Sequence, residues 1–302
     1  MASRLCDATK LELVSGDAEG SVWRGLVTDA YNVFVVPNGG LLMAMVLRAL
    51  RNEQERHGVE KESNVNCLLM QTTFFSSTAG NSPCEIVVQV IKRGRKISWL
   101  RGDLRQSGKT RLSATAAFGK YDVSPAANIV PFEDVSAMNF ESERWKTSVV
   151  AKPAGTERVL FHRYTWRFPP RDADIFLRMV AEKDMPGQCP TNFFVYMQHE
   201  DAQEPITAES LAAIADAAIP TVKGLLPFGD SNWVPTLTFD MHIFAEPRPE
   251  LKWVFCEFNL EATSKGRCIQ GVSMYDPETG ALLCRASQGA LNEAKQQNKS
   301  NL

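Results

Sequence analysis

The sequence predicts an α+β fold of two tandem modules, each an antiparallel sheet wrapped around one buried helix. Three observations carry this. Two short stretches, LLMAMVLRAL at 41–50 and LAAIADAAIP at 211–220, are apolar nearly all the way round. Such helices are buried rather than half-wet. Each is followed by a run of strand-like segments. The third observation is a repeat: Gly94 and Gly108 are 14 residues apart, as are Gly266 and Gly280, and the two pairs are offset by 172. A matched spacing together with a buried helix and the same strand order points to a duplicated module. The sheet must wrap the helix, because nothing else in a module covers an apolar helix.

In chain order, residues 21–34 mix β-branched and aromatic side chains and read as a strand or strand pair. Pro37-Asn38-Gly39-Gly40 is turn chemistry ahead of the first helix, which runs on into the polar RNEQERHG and stops at Gly58. Strands follow at 66–75, 84–91, 96–105 and 111–121, the last two joined by a hairpin turn at Gln106-Ser107-Gly108-Lys109. Residues 124–156 hold Pro125, Pro131 and Pro153 without a clear period, and read as a linker with one short helix near 132–140. The order then recurs. Strands at 159–168 and 192–198 precede a helix at 208–219, with Thr207 as N-cap and Glu209 in the favourable first turn. Strands at 235–244, 253–261, 268–275 and 281–288 close the chain before a polar tail from 293. The expected modules are 1–124 and 157–302, with 125–156 between them.

Composition narrows the function classes. A formal net charge of −2 over 302 residues argues against a global nucleic-acid-binding role. No apolar run is long enough to span a bilayer, and the first residues lack the apolar core of a secretory leader. Seven scattered cysteines with no CxxC pair are expected to be free thiols in a reducing compartment, most simply the cytoplasm. The final Ser300-Asn301-Leu302 differs at one position from the peroxisomal address SKL and keeps that compartment as the alternative. His57, His162, His199 and His242 do not cluster, and HExxH, GxSxG, the P-loop and GxGxxG are all missing. Metalloprotease, α/β-hydrolase and nucleotide-binding readings therefore lack their signatures.

Asp216 stands inside the second apolar helix. A carboxylate there is costly unless it is hydrogen-bonded or has a raised pKa, so it is either a structural acceptor or a functional group. Asn38, Gly39 and Gly40 open the first helix. Free N–H groups at a helix start suit an anion or oxyanion, and the same residues also make an ordinary turn. Lys92, Arg93, Arg95 and Lys96 form a basic hairpin that suits the phosphates of a ligand, or else guards a sheet edge with charge.

Two such modules in one chain make a double hotdog. The helix start PNGGLLMAMVLRAL, the second helix IADAAIP, the strand LTFDMHIF followed by Pro247, and the closing pair CIQGVSMYDPETGALLCRASQGAL together resemble the acyl-CoA thioesterase II type of the thioesterase-like superfamily. The resemblance covers most of the chain and is weakest from about 125 to 191. It implies thioester hydrolysis by a water held between an Asp on the second helix, a Thr or Ser on the next strand and a Gln on the last strand. The matching residues are Asp216, Thr238 and Gln288, with Asn38, Gly39 and Gly40 as oxyanion or substrate contacts from the other module. Shifting back by 172 gives Ala44, Asn66 and Ala116, so a single active site is implied. The substrate implied is an acyl-CoA or an acyl-carrier-bound thioester of fatty acyl metabolism. No metal or redox cofactor is implied, and a homo-oligomer is compatible.

The residues themselves bear unevenly on this set. Alternation through Leu282, Cys284, Ala286 and Gln288 turns Gln288 inward, against the alternative of a solvent-facing strand end. Alternation through Thr236, Thr238, Asp240 and His242 sends Thr238 to solvent, unless the strand is bulged or its polar face lines the pocket. Two rival activities stay open: a double-hotdog hydratase or dehydratase, which usually wants an Asp/His pair with an Asn nearby, and a non-catalytic acyl-binding protein.

Overall fold

The structure is a computed structural model that describes residues 4–33, 35–57, 65–121, 139–151, 159–180, 192–217, 232–291 and 293–294. The first module runs through helix α1 (Leu5–Ala8), strands β1 (Glu12–Gly16), β2 (Gly20–Val27), β3 (Asn32–Val33) and β4 (Val36–Pro37), then helix α2 (Gly39–Arg56). It ends with β5 (Asn66–Phe74), β6 (Ser82–Lys92), β7 (Ser98–Gln106) and β8 (Lys109–Gly119). The rest of the chain gives α3 (Glu143–Thr147), β9 (Val149–Ala151), β10 (Tyr164–Phe168), α4 (Pro170–Val180), β11 (Asn192–His199) and α5 (Ala208–Ala215). After them come β12 (Asn232–Trp233), β13 (Thr236–Ile243), β14 (Val254–Ser264), β15 (Arg267–Tyr275), β16 (Leu282–Leu291) and β17 (Glu293–Ala294).

Thirteen strands form one sheet in the order β1-β2-β6-β7-β8-β5-β13-β16-β15-β14-β11-β10-β9. Reading inward from each end, β2-β6-β7-β8-β5 and β11-β14-β15-β16-β13 place the strand before the helix, the third, fourth and fifth strands, and the second strand in the same sequence. The matched glycines sit in equivalent turns: Gly94 and Gly266 each precede the fourth strand of their set, and Gly108 and Gly280 each follow it. The two halves join through β5 and β13, which pair antiparallel with Met70 opposite Met241. This is the double hotdog.

The helices lie in the core. Leu41 through Leu47 of α2 and Leu211 through Ala215 of α5 are all buried. The two helices meet in antiparallel fashion. A Cβ on Gly40 would stand 2.5 Å from the Ala213 carbonyl oxygen, while Arg48, further along α2, reaches Glu209 in the first turn of α5 at 3.1 Å. Gly40 is therefore glycine because two backbones approach there. Arg51 lies 3.4 Å from both Glu209 and Glu246, so ion pairs from both modules close that end of the helix pair.

Several elements differ from the sequence expectation. The second helix stops at Ala215, with Asp216 as its C-cap instead of in mid-helix; residues 218 and 219 lie outside the described residues. The first helix does run on through its polar second half as expected, to Arg56 with His57 as its C-cap. Of the strand or strand pair expected at 21–34, the structure gives two strands, β2 and β3, separated by a 3-10 turn at Asp29–Tyr31 that Thr28 caps by accepting from the Ala30 N–H. A second 3-10 turn at Val159–Arg163 precedes β10. The stretch expected as a linker contains α3 and β9, and β9 is the outermost strand of the sheet. Helix α4 was not expected, although Pro170 at its first position and Asp172 in its first turn are helix-start signals. The short helix expected near 132–140 falls mostly outside the described residues.

The β7–β8 turn needs left-handed backbone at two successive residues, Ser107 (φ 52°) and Gly108 (φ 73°), which matches the right-handed twist of a tight hairpin. The described cysteines, Cys6, Cys67, Cys84, Cys256, Cys268 and Cys284, are free thiols, and Cys189 lies outside the described residues. Burial pushes Cys67 and Cys84 up to about 12, which keeps them inert. No helix among the described residues is long and apolar enough to cross a membrane.

Candidate active site

Asp216 sits where the end of α5 meets the start of α2, and its side chain is buried. Among the donors around the carboxylate, Asn38 and Gly40 come from the other module and Gln288 from its own. Oδ2 accepts from Asn38 Nδ2 at 2.7 Å and from the Gly40 backbone N–H at 3.0 Å. Oδ1 accepts from Gln288 Nε2 at 2.7 Å. Asn38 is also the N-cap of α2, its Oδ1 accepting from the Leu41 N–H. One amide therefore caps the first helix and binds the acid of the second.

The electrostatics oppose one another. The positive start of α2 favours the anion, while burial at the carbonyl end of α5 disfavours it. Burial wins: desolvation raises Asp216 to about 6, against the lowering pull of the Gly40 and Gly39 N–H groups, Gln288 and Thr236. A carboxyl group there exchanges protons near neutrality, as a general base must.

The predicted site residues do not all arrive. Gln288 turns inward on β16 and touches Asp216 directly. Thr238 does not reach the site: it is exposed, and Thr236 takes its place. Thr236 Oγ1 and Gln288 Nε2 are hydrogen-bonded. The cause is a bulge. On β13, Thr236 faces Ala290 of β16 and Thr238 faces Gly289, so two residues of one strand span a single step of the other. The bulge breaks the alternation. Phe239, Met241 and Ile243 point inward as the pattern predicts, but Leu237 is 41% exposed and Thr236 turns in. The bulge that the alternation allows for is present, and it brings Thr236, not Thr238, against Gln288.

Asn38, Gly39 and Gly40 face Asp216. Their donors are engaged with the carboxylate, not directed at an open position. Gln270 was not foreseen. It is buried opposite Gln288 on β15, and its Nε2 donates to Gln288 Oε1 at 3.2 Å. The inward alternation of β15 through Cys268, Gln270 and Val272 was available to find it.

The site opens into a pocket of about 390 Å³. Val33, Val36, Leu42, Phe74, Val234 and Leu237 line it with hydrocarbon; Ser76, Ser77 and Thr78 add hydroxyl-bearing residues; Asp216, Gln288 and Thr236 supply the polar groups of the site. An apolar cleft with a few convergent polar groups suits an acyl chain ending in a reactive carbonyl.

A second polar cluster sits in the core. His199 Nε2 is 2.8 Å from Ser210 Oγ, and its Nδ1 is 3.8 Å from Glu204. The residue types match a nucleophile, base and acid, but the roles are architectural. Ser210 Oγ accepts from the Thr207 N–H in the capping box of α5, and Glu204 accepts the Leu5 and Cys6 N–H groups at the start of α1. Burial holds His199 below its usual range, so it is a neutral core histidine. The basic hairpin is likewise partly structural: Arg93 bonds to Glu53 and Gln54 at the end of α2. Among the described residues, no group of three or more His, Cys, Asp or Glu is placed to hold a metal ion.

Comparison with known proteins bears on the family and the fold. Residues 28–119 match the family model of the acyl-CoA thioesterase N-terminal domain, and residues 133–291 that of the C-terminal domain. No curated protein matches the chain by sequence. Among solved structures, a hot dog fold protein of unknown function from Alicyclobacillus acidocaldarius superposes with a TM-score of 0.72 at 19% identity, covering 96% of this chain and 98% of that one. A putative thioesterase II from Thermobifida fusca gives 0.69 at 20% identity, covering 96% and 98%. An acyl-CoA thioesterase II from Mycobacterium marinum gives 0.62 at 16% identity, covering 97% and 99%. These likenesses show the fold, and the two family models together span most of the chain, so the chain belongs to the acyl-CoA thioesterase family.

Proposed function

We propose that the protein hydrolyses an acyl-CoA, or carrier-bound acyl, thioester, with Asp216 as general base and Gln288 and Thr236 orienting the attacking water. One observation supports this above the rest: a buried carboxylate, raised to about 6, bound by donors from both modules at an apolar pocket. A purely structural acceptor needs the donors but not the raised pKa or the pocket. The fine assignment replaces Thr238 with Thr236.

The proposed step is balanced by one proton. Water oxygen attacks the thioester carbonyl carbon while Asp216 takes a water proton. The carbonyl oxygen becomes an oxyanion. As Asp216 becomes neutral, its hold on the Gly39 and Gly40 N–H groups weakens, and the same donors, at the positive end of α2, serve the oxyanion. Collapse breaks the carbon–sulfur bond, and the thiolate recovers the proton from Asp216. The products are a carboxylic acid and a thiol. Substrate recognition by the apolar pocket wall implies an acyl group of hydrocarbon character.

The hydratase reading has less support. No histidine is among the described residues that line this pocket, so the Asp/His pair such chemistry usually needs is not found among them. Incubation with a series of saturated acyl-CoAs, read by thiol release, and with an enoyl-CoA, read by loss of the conjugated double bond, tests the assignment. Thiol release without hydration is expected. Hydration without thiol release contradicts it, and binding without either reaction points to the non-catalytic alternative.

A further inference from the structure

We propose that Gln270 is a positioning residue that fixes which end of the Gln288 carboxamide faces Asp216. This rests on the hydrolytic reading of Asp216 given above. The two ends of a carboxamide are nearly the same size, and a half-turn about the last side-chain bond exchanges them. In one orientation Gln288 Nε2 donates to Asp216 Oδ1 at 2.7 Å, and Oε1 accepts from Gln270 Nε2 at 3.2 Å. In the other, Oε1 faces Asp216 and Nε2 faces the donor of Gln270.

The neighbours of Gln288 do not by themselves choose between these. Thr236 carries a hydroxyl, which donates or accepts equally well. Asp216 chooses only while it is ionised, because a protonated carboxyl donates to Oε1 in the turned orientation. Asp216 is raised to about 6, so near neutrality the neutral form is always within reach. Gln270 supplies the missing preference. It is buried, stands directly opposite Gln288 across the β15–β16 pair, and offers a donor to Oε1 in the productive orientation. Turning Gln288 round alone sets two N–H groups against each other at that contact, a buried mismatch, so the two carboxamides turn together or not at all. Gln270 thus adds a cost to turning Gln288 that is present whether or not Asp216 carries a proton, including during the turnover step in which it gains one.

The test uses the full chain with an acyl-CoA substrate, comparing wild type with Gln270→Leu, Gln270→Glu and Asp216→Asn. For each variant, kcat and KM are measured from pH 5 to 9 alongside the melting temperature. Gln270→Leu removes the donor at similar length. It is expected to lower kcat about tenfold, leave KM within about twofold, and move the acidic limb of the kcat profile to higher pH, because the carboxylate loses part of its donor. Gln270→Glu keeps size but, once ionised, draws Nε2 away from Asp216. It is expected to cost more kcat than Gln270→Leu above neutrality, and it keeps the proposal testable if Gln270→Leu does not fold. A packing role alone predicts activity that follows the folded fraction with an unmoved pH profile. Loss of turnover in Asp216→Asn with unmoved kcat profiles in the Gln270 variants overturns the positioning role alone. Full turnover in Asp216→Asn overturns the underlying reading, and the proposal with it.

Discussion

The Gly40 backbone N–H lies 3.0 Å from Asp216 Oδ2, and the two residues belong to different modules of one duplicated chain. That contact sets the carboxylate of the second module against the helix start of the first. At the start of α2, Gly40 lets the backbones close and leaves an amide aimed at a carboxylate. At the start of α5, the corresponding closure is made by Glu209 with Arg48 and Arg51, a set of ion pairs that fills the space.

Thr236 and Thr238 offer a direct comparison. Thr236→Val removes the hydroxyl that contacts Gln288 and is expected to lower kcat about 10- to 100-fold with little change in melting temperature. Thr238→Val changes an exposed side chain and is expected to leave kcat within about twofold. Steady-state kinetics on both variants check the bulge as well as the role; the reverse ranking contradicts both.

The fold was legible in the sequence where physics is local and redundant. Apolar stretches too continuous for a surface gave both helices, and paired glycines gave the duplicated hairpins. What escaped reading was set by tertiary context. Thr236 is inward only because β13 gains a residue against β16, and no local signal says which side of a bulge turns in. Asp216 reads as mid-helix because Ala217 to Ile219 continue the apolar pattern, yet the helix ends at Ala215. Gln270 has no distinguishing pattern except its alternation with Cys268 and Val272, and its meaning comes from the residue opposite it.

Acid should switch off the proposed base. Burial raises Asp216 to about 6, and a general base must be ionised, so kcat/KM is expected to fall about tenfold per pH unit below that value. The stability effect has the opposite sign. A carboxyl whose folded pKa exceeds its unfolded value favours the folded state most at low pH, and that contribution is lost as pH rises through about 6. At about 1.4 kcal/mol per unit, ionised Asp216 costs on the order of 3 kcal/mol. A pH–rate profile set beside pH-dependent melting of wild type and Asp216→Asn checks both signs.

Gly40→Ala tests the helix contact. The added Cβ would stand 2.5 Å from the Ala213 carbonyl oxygen and 2.9 Å from its Cα, so α2 and α5 must separate. A loss of about 1–3 kcal/mol is expected, as for overpacked cores, with reduced kcat because Asp216 moves too. Gly39→Ala places its Cβ 3.0 Å from Asp216 Oδ2 and 3.1 Å from the Phe74 ring, at the pocket instead of between backbones. It is expected to lower activity with a smaller change in stability. Chemical denaturation and kinetics on the two variants separate the effects.

The most direct measurement is kcat and melting temperature on the same Asp216→Asn sample, with an acyl-CoA substrate at pH 8. Asparagine keeps the size of the side chain and removes the proton acceptor. Loss of a general base is expected to lower kcat about 100- to 10,000-fold. The melting temperature is expected to change little, since relief of a buried charge is offset by the new amide N–H facing one of the donors that held the carboxylate. Retained turnover with a lowered melting temperature would contradict the account and make Asp216 a structural acceptor.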